Sequence, residues 1–281
     1  MSERTQHYAA GPGGADGTCR FCGTKLAPEQ IGTGVCGAQE CHNRMIEESG
    51  RAILARKRAK HDEVSGEVFA AVANDLDAAR ESAEPDALTW MLPAQNDPLE
   101  PLPPERLEKF KEHLAFCVTY AFREPEPAPD ADLGSREAHE PNETPLSDAA
   151  CATCQGRCCR DRGGDTALLL PSDVARYRQR HPGVTEDEVM QAYLSHLPDL
   201  STRDGCVYQA ITGCTLPRAM RQDICNSYYC DALRWLRTAA QEAQTGAAVL
   251  VAAHEGTAQR IATVAADGTR TPVADFTREP T

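Results

Sequence analysis

The stretch CATCQGRCC, from Cys151 to Cys159, puts four cysteines into nine positions, and no other feature constrains the folding of this 281-residue chain as strongly. Thirteen cysteines occupy positions 19, 22, 36, 41, 117, 151, 154, 158, 159, 206, 214, 225 and 230. The start, MSERTQHYAAGPGG, lacks the apolar centre of a signal peptide, which predicts a cytoplasmic protein. In a reducing compartment clustered thiols serve as metal ligands or redox centres rather than disulfides. No run of about 18 apolar residues is present, so no membrane partner is expected. Mean hydropathy is −0.48 and aromatic residues make up 5%, too little apolar material for large dry cores. Bound metal is expected to supply the missing stability, since structural zinc contributes about 10–16 kcal/mol of apparent binding energy at neutral pH.

The net charge of −13 argues against general affinity for nucleic acid. Much of it is local: eight acids face two arginines between Arg123 and Asp148, among five prolines, the composition of a solvated connector. The expected organisation is a polar tail (1–17), a zinc finger with its helix (18–62), a helical segment (63–122), the acidic Pro-rich linker (123–148), a cysteine-cluster metal-binding domain (149–246) and short β-strands with a tail (247–281). The fold class is mainly α with small β elements, stabilised by metal. Val64, Val68, Val72 and Leu76 fall on one helical face, and Leu107, Phe110, Leu114, Cys117 and Ala121 on another, with Pro104 in its first turn. Cys117 lies on that apolar stripe and reads as a core thiol. Further on, TALLLPSDVARYRQRHPG predicts a short strand and a helix capped by Ser172. Thr185 and Glu188 form a capping box for a helix that buries Val189, Tyr193 and Leu197. Leu233, Leu236, Ala240 and Ala243 mark another helix, and two strand-like runs after it, with turns at EG and DG, predict a terminal hairpin or meander.

Cys19 and Cys22 in CRFCG form a C-x2-C knuckle, with Gly23 free to take positive φ. Cys36 and Cys41 follow at the start of a predicted helix, where the positive dipole end favours thiolates. Four thiolates fill a closed tetrahedral zinc sphere, which leaves His42 as a surface residue. The knuckle-then-helix order over residues 18–60 resembles a treble-clef finger. Arg51, Arg56, Lys57, Arg58 and Lys60 on the following helix raise a nucleic-acid or acidic-partner reading. No aromatic interleaves them and they do not share one face, so nucleic acid is not expected as a partner.

The other eight ligand candidates are Cys151, Cys154, Cys158 and Cys159, then Cys206, Cys214, Cys225 and Cys230. Adjacent side chains point in different directions, so Cys158 and Cys159 do not serve one tetrahedral ion comfortably as terminal ligands. The doublet calls for two metals, a polynuclear cluster, or one ligand beside a spare thiol. Glycines 156, 163, 164, 205 and 213 let the loops close around a site. Asp161, Arg162, Asp165, Arg218, Arg221, Asp223, Tyr228 and Tyr229 are the polar side chains near it.

CATCQGRCC, ALLLPSDVARY, GCVY, the Gly213–Cys214 pair and RQDIC, with Cys230 beyond, together resemble the YkgJ-type zinc- or iron-chelating cysteine-cluster family over residues 150–235. Gln222 stands where that family carries proline, and the gap from Cys214 to Cys225 is longer than its pattern. The resemblance implies zinc or an iron–sulfur cluster as cofactor, since all-thiolate ligation suits both. Related clusters in flagellin lysine N-methylase-like proteins extend it to an iron–sulfur enzyme that modifies protein with S-adenosylmethionine. A third reading is an adaptor whose finger recruits a protein or nucleic-acid partner. The common nucleotide-binding, zinc-protease and hydrolase motifs are absent.

Overall fold

The computed structural model describes residues 17–123, 144–160, 164–211 and 213–277. These form two compact units, one ending at Val64 and one beginning at Ser65. In the first, an antiparallel bridge between Thr18 and Lys25 closes the loop that carries Cys19 and Cys22. A single 3-10 turn (Pro28–Gln30) leads to α1 (Gln39–Ala71). The small core is Cys19, Leu26, Val35 and Cys41, with Phe21, Cys36 and Met45 packed against it. Half of this core is sulfur, so apolar burial alone is a weak reason for it to fold.

The face expected to run unbroken from Val64 to Leu76 is interrupted. Val72 leaves helical geometry (φ −118°, ψ 28°) and α2 (Ala73–Ser82) starts after it, which turns Leu76 and Ala79 onto the sheet. A second difference follows: the run LTWMLP is β1 (Leu88–Pro93), a strand within a segment expected to be helical. It pairs in parallel with β6 (Ala248–His254), which continues antiparallel to β7 (Thr257–Val264) and β8 (Arg270–Asp275), giving the order β1-β6-β7-β8. The terminal meander is therefore part of a mixed four-stranded sheet. Six of the seven residues of β6 are buried, because it is a central strand covered by helices. Two short antiparallel pairs complete the strands used below: β2 (Leu99–Glu100) with β3 (Ser201–Thr202), and β4 (Gln209–Ala210) with β5 (Gly213–Cys214).

Besides α2, the helices of this unit among the described residues are α3 (Pro104–Arg123), α4 (Pro145–Cys154), the single turn α5 (Arg157–Arg160), α6 (Pro171–Arg180), α7 (Glu186–Leu194), α8 (Asp223–Ser227) and α9 (Asp231–Ala243). Two cores hold them. One gathers Phe110, Leu114, Cys117 and Val118 of α3, Val174 of α6, Val189 and Tyr193 of α7, and Cys206, Val207 and Tyr208. The other packs Trp90 and Leu92 of β1, Leu146, Ala149 and Ala150 of α4, Leu233 and Leu236 of α9, and Leu250 of β6. Thus α3 packs on α6 and α7 from beyond the acidic segment, and β1 on β6. The boundary expected at 123–148 runs within one compact unit. Its ends are helical, Arg123 closing α3 and Thr144 capping α4 by accepting from the Ser147 amide at 3.2 Å. Residues 124–143 lie outside the described part.

Two local expectations also change. ALLL is not a strand: Ala167 (φ 51°) and Leu168 (φ 58°) sit in the left-handed region after a 3-10 turn (Gly164–Thr166), and Leu169 is buried. Ser172 does not cap α6; Leu170 occupies the cap and its amide donates to Asp173 Oδ2 at 2.8 Å. By contrast, Thr185 and Glu188 form the capping box of α7 over the buried Val189 and Tyr193.

Candidate metal centre

Cys19, Cys22, Cys36 and Cys41 bring their sulfurs within 4.8 Å of one another, the one such group among the described residues. Cys22 Sγ and Cys36 Sγ are 3.6 Å apart. Local backbone geometry explains the convergence. Gly23 takes φ 74°, its amide returns to the Cys19 carbonyl at 2.8 Å, and the Cys19 amide donates to Thr24 at 2.7 Å, which curls the knuckle. Cys41 is fixed in the first turn of α1, and Cys36 sits just before it.

The donor chemistry fits a thiophilic cation. The amides of Cys36, Phe21 and Cys22 face the Cys19 sulfur and draw its pKa down to about 6 despite burial. The Thr24 hydroxyl and amide draw Cys22 down as well. Cys36 ends above the usual thiol range: the Ala38 amide lowers it, but burial and the neighbouring Cys22 and Cys19 outweigh that. Burial and the same neighbours push Cys41 up to about 12. Four sulfurs that share so small a space cannot all ionise unless a cation joins them. Around the knuckle, the guanidinium groups of Arg20 and Arg44 lie 4.7 and 4.8 Å from the Phe21 ring centre, and Arg20 pairs with Glu48 at 3.2 Å. Further along α1, Arg58 pairs with Asp62 at 2.9 Å and Lys60 with Glu63 at 3.0 Å, so these two members of the basic stretch are matched by acids on their own helix.

The other eight thiols all lie in the second unit. Six of them (Cys151, Cys158, Cys159, Cys206, Cys214, Cys225) line one cavity of about 290 Å³, which Arg218, Arg221, Tyr228 and Tyr229 also line. Helix α4 carries Cys151 and Cys154 one turn apart and ends on two left-handed residues, Gln155 (φ 59°) and Gly156 (φ 74°). That reversal starts α5, which presents Cys158 and Cys159. Cys154 Sγ accepts from the Arg157 amide at 3.4 Å. Burial pushes Cys154 up to about 12, against the amides of Arg157 and Gly156. Cys206 is likewise pushed to about 12 by burial, with the Tyr208 amide opposing. At the start of α9, burial raises Cys230 while the amides of Leu233 and Ala232 favour its thiolate. Sulfurs kept neutral by burial yet faced by amide donors are suited to a soft metal, which replaces the proton and keeps the donors.

Three positioning residues have no signature in the sequence. Gln209 is buried and its side-chain amide donates to the carbonyls of Gln155 and Gly156 at 2.9 Å each, which holds the reversal between α4 and α5. Arg106 of α3 reaches about a hundred residues ahead: it pairs with Asp165 at 2.5 Å and donates to the carbonyls of Thr202 (3.2 Å), Arg203 (2.5 Å) and Gly205 (2.5 Å), so it fixes the loop that ends in Cys206. Arg260 of β7 is buried and donates to Thr153 O at 3.1 Å and Gln95 O at 2.9 Å, which places a cation beside Cys154. Among the polar candidates, Arg221 holds the Cys214 loop through the carbonyls of Leu216 (2.6 Å) and Cys214 (3.2 Å), while Asp223 pairs with Arg176 at 2.5 Å. Asp161 and Arg162 lie outside the described residues. Cys117 is fully buried on α3, apart from both sets, with its sulfur 3.6 Å from the Leu169 carbonyl.

No helix among the described residues is long and apolar enough to cross a membrane. Compared with protein-family models, with curated proteins and with solved structures, the chain matches none.

Proposed function

We infer that this is a metal-binding protein that holds zinc in its amino-terminal cysteine quartet and a second thiolate-bound centre, zinc or iron–sulfur, in its carboxy-terminal cluster. The observation that carries this reading is the convergence of four sulfurs within 4.8 Å under amide and hydroxyl donors, in a unit whose core is otherwise a few apolar side chains. Four thiolates close a tetrahedral sphere and leave no position for substrate, so the first site is structural. For the carboxy-terminal eight, the support is the cavity that six of them line and the amides at Cys154, Cys206 and Cys230, together with the cysteine order that resembles the zinc- or iron-chelating cluster family.

Anaerobic purification of the full chain, followed by metal analysis and an absorption spectrum, tests this. Zinc in a colourless protein supports two structural centres, and a brown protein with a broad band near about 400 nm supports iron–sulfur ligation. A folded chain with neither metal overturns the reading. One observation favours a catalytic alternative: the thiol-lined cavity is also bordered by Arg218, Arg221, Tyr228 and Tyr229, side chains able to orient an anionic or hydroxylated substrate. A protein-modifying methylase of that kind binds S-adenosylmethionine saturably, and calorimetry showing no binding removes it.

A further inference from the structure

We propose that the eight carboxy-terminal thiols divide at the Cys158–Cys159 peptide bond into two adjacent four-thiolate sites, Cys151, Cys154, Cys158 and Cys230 for one ion and Cys159, Cys206, Cys214 and Cys225 for the other. This deepens the metal-binding reading and rests on it.

The division follows the two cores. Cys230 packs against the sheet-side core, the one to which α4, the helix bearing Cys151 and Cys154, contributes Leu146, Ala149 and Ala150. Cys159, Cys206 and Cys214 pack instead against the core built on α3, α6 and α7. Gln209 ties this second set together. Its backbone amide donates to Cys206 O at 2.8 Å, and it stands opposite Cys214 in the β4–β5 ladder. Its side chain lies against Gly156, where a methyl group would stand 3.1 Å from Gln209 Nε2 and 3.6 Å from Cys159 Sγ. Cys225 joins the set across the cavity, on α8, just past Arg221, which grips the Cys214 carbonyl.

The single turn of α5 then distributes the doublet. Consecutive residues on a helix project about 100° apart, so the doublet can serve two sites. The Cys158 and Cys159 thiols are hydrogen-bonded to each other. Cys159 goes with Cys206 and Cys214, against the core built on α3, α6 and α7, which leaves Cys158 for the α4 set. Cys151, Cys158, Cys159, Cys206, Cys214 and Cys225 open on one cavity, so the two sites share a wall there without sharing a ligand.

Cadmium-loaded full-length protein decides the matter by cadmium NMR. The expected wild-type spectrum has three four-thiolate resonances, one from the amino-terminal quartet and two from this cluster, none split by another cadmium. Cys230→Ser should remove or shift one of the two cluster resonances and Cys214→Ser the other. If either substitution erases both, or if the wild-type pair is mutually split through a bridging thiolate, the eight form one polynuclear centre and the division is wrong. A single cluster resonance also overturns it. Should either variant fail to fold, the wild-type number and splitting still decide. A wild-type spectrum with the amino-terminal resonance alone defeats the carboxy-terminal metal centre itself, an outcome distinct from failure of the division.

Discussion

At the scale of single residues, the tightest place near the candidate centre is the contact between Gly205 and Gln209. A β-carbon built on Gly205 would stand 2.3 Å from Gln209 Oε1 and 2.9 Å from Thr202 Cβ. Gly205→Ala must therefore displace the side chain that holds the Gln155–Gly156 reversal. Overpacking of this kind costs about 1–3 kcal/mol, to be read as a lowered midpoint in urea unfolding of the metal-loaded protein. Loss of cluster metal should accompany it, and Gln209→Ala in the same chain should relieve the steric part while leaving the reversal unsupported. Protonation gives a second residue-scale expectation. Burial holds Cys154 and Cys206 near about 12, so both carry protons at neutral pH until a metal displaces them. Bound thiols have strongly depressed pKa values, so metal binding is favoured at high pH and lost as pH falls. Calorimetric titration of the metal-free protein in two buffers of different ionisation enthalpy should show net proton release, and equal heats in both would contradict it. The amino-terminal quartet was legible in the sequence because thiol spacing is local. Gln209 was not, since its role depends on a ladder and a helix end some fifty residues apart.

Among elements, the connection between α3 and the Cys206 loop is the most exposed to one substitution. Arg106 is a planar donor with three carbonyls and a carboxylate around it, a fork that an ammonium group cannot reproduce. Arg106→Lys should leave part of the 202–205 backbone without donors, at a cost of about 1–3 kcal/mol. The change should also raise amide exchange in that loop and weaken the metal site proposed at Cys206, whereas metal proposed for the amino-terminal quartet should be retained. Exchange measured by mass spectrometry checks the first point and metal analysis the second. Elements whose signals are periodic were readable: α3 with its stripe through Phe110, Leu114, Cys117 and Ala121, α7 with its capping box, and β6–β8 with turns at Glu255–Gly256 and Asp267–Gly268. LTWMLP was not, because a short apolar run alternates too little to separate a buried parallel strand from a helix, and its partner lies 160 residues away. ALLL misled for the opposite reason. Its apolar run looks like a strand, but Ala167 and Leu168 turn left-handed so that Leu169 can enter the core.

For the molecule as a whole, the acidic segment looked like a boundary because composition reports solvation and carries no information on long-range pairing. Only the fold reveals that α3 and β1, both before that segment, complete the two cores on which the cysteine cluster rests. A fragment of residues 149–281 lacks Phe110, Leu114, Cys117 and Val118 from one core and Trp90, Leu92 and Leu146 from the other. It also loses the parallel partner of β6, exposing a strand edge that is otherwise covered. Each large apolar side chain removed from a packed core costs about 2–5 kcal/mol, so the loss exceeds the 5–15 kcal/mol typical of an entire domain. The fragment should therefore fail to fold or to retain metal. A chain from Ser65 onward keeps both cores and should do both, with melting and cluster metal content close to those of the full protein. Cys19→Ser with Cys22→Ser in the full chain is the complementary change, expected to remove the amino-terminal metal and leave the main melting transition in place. Calorimetry and metal analysis of the three proteins distinguish this from the two-part organisation read from composition. In that case residues 149–281 would fold alone, and the 65–281 chain would melt in two separable steps divided at the acidic segment.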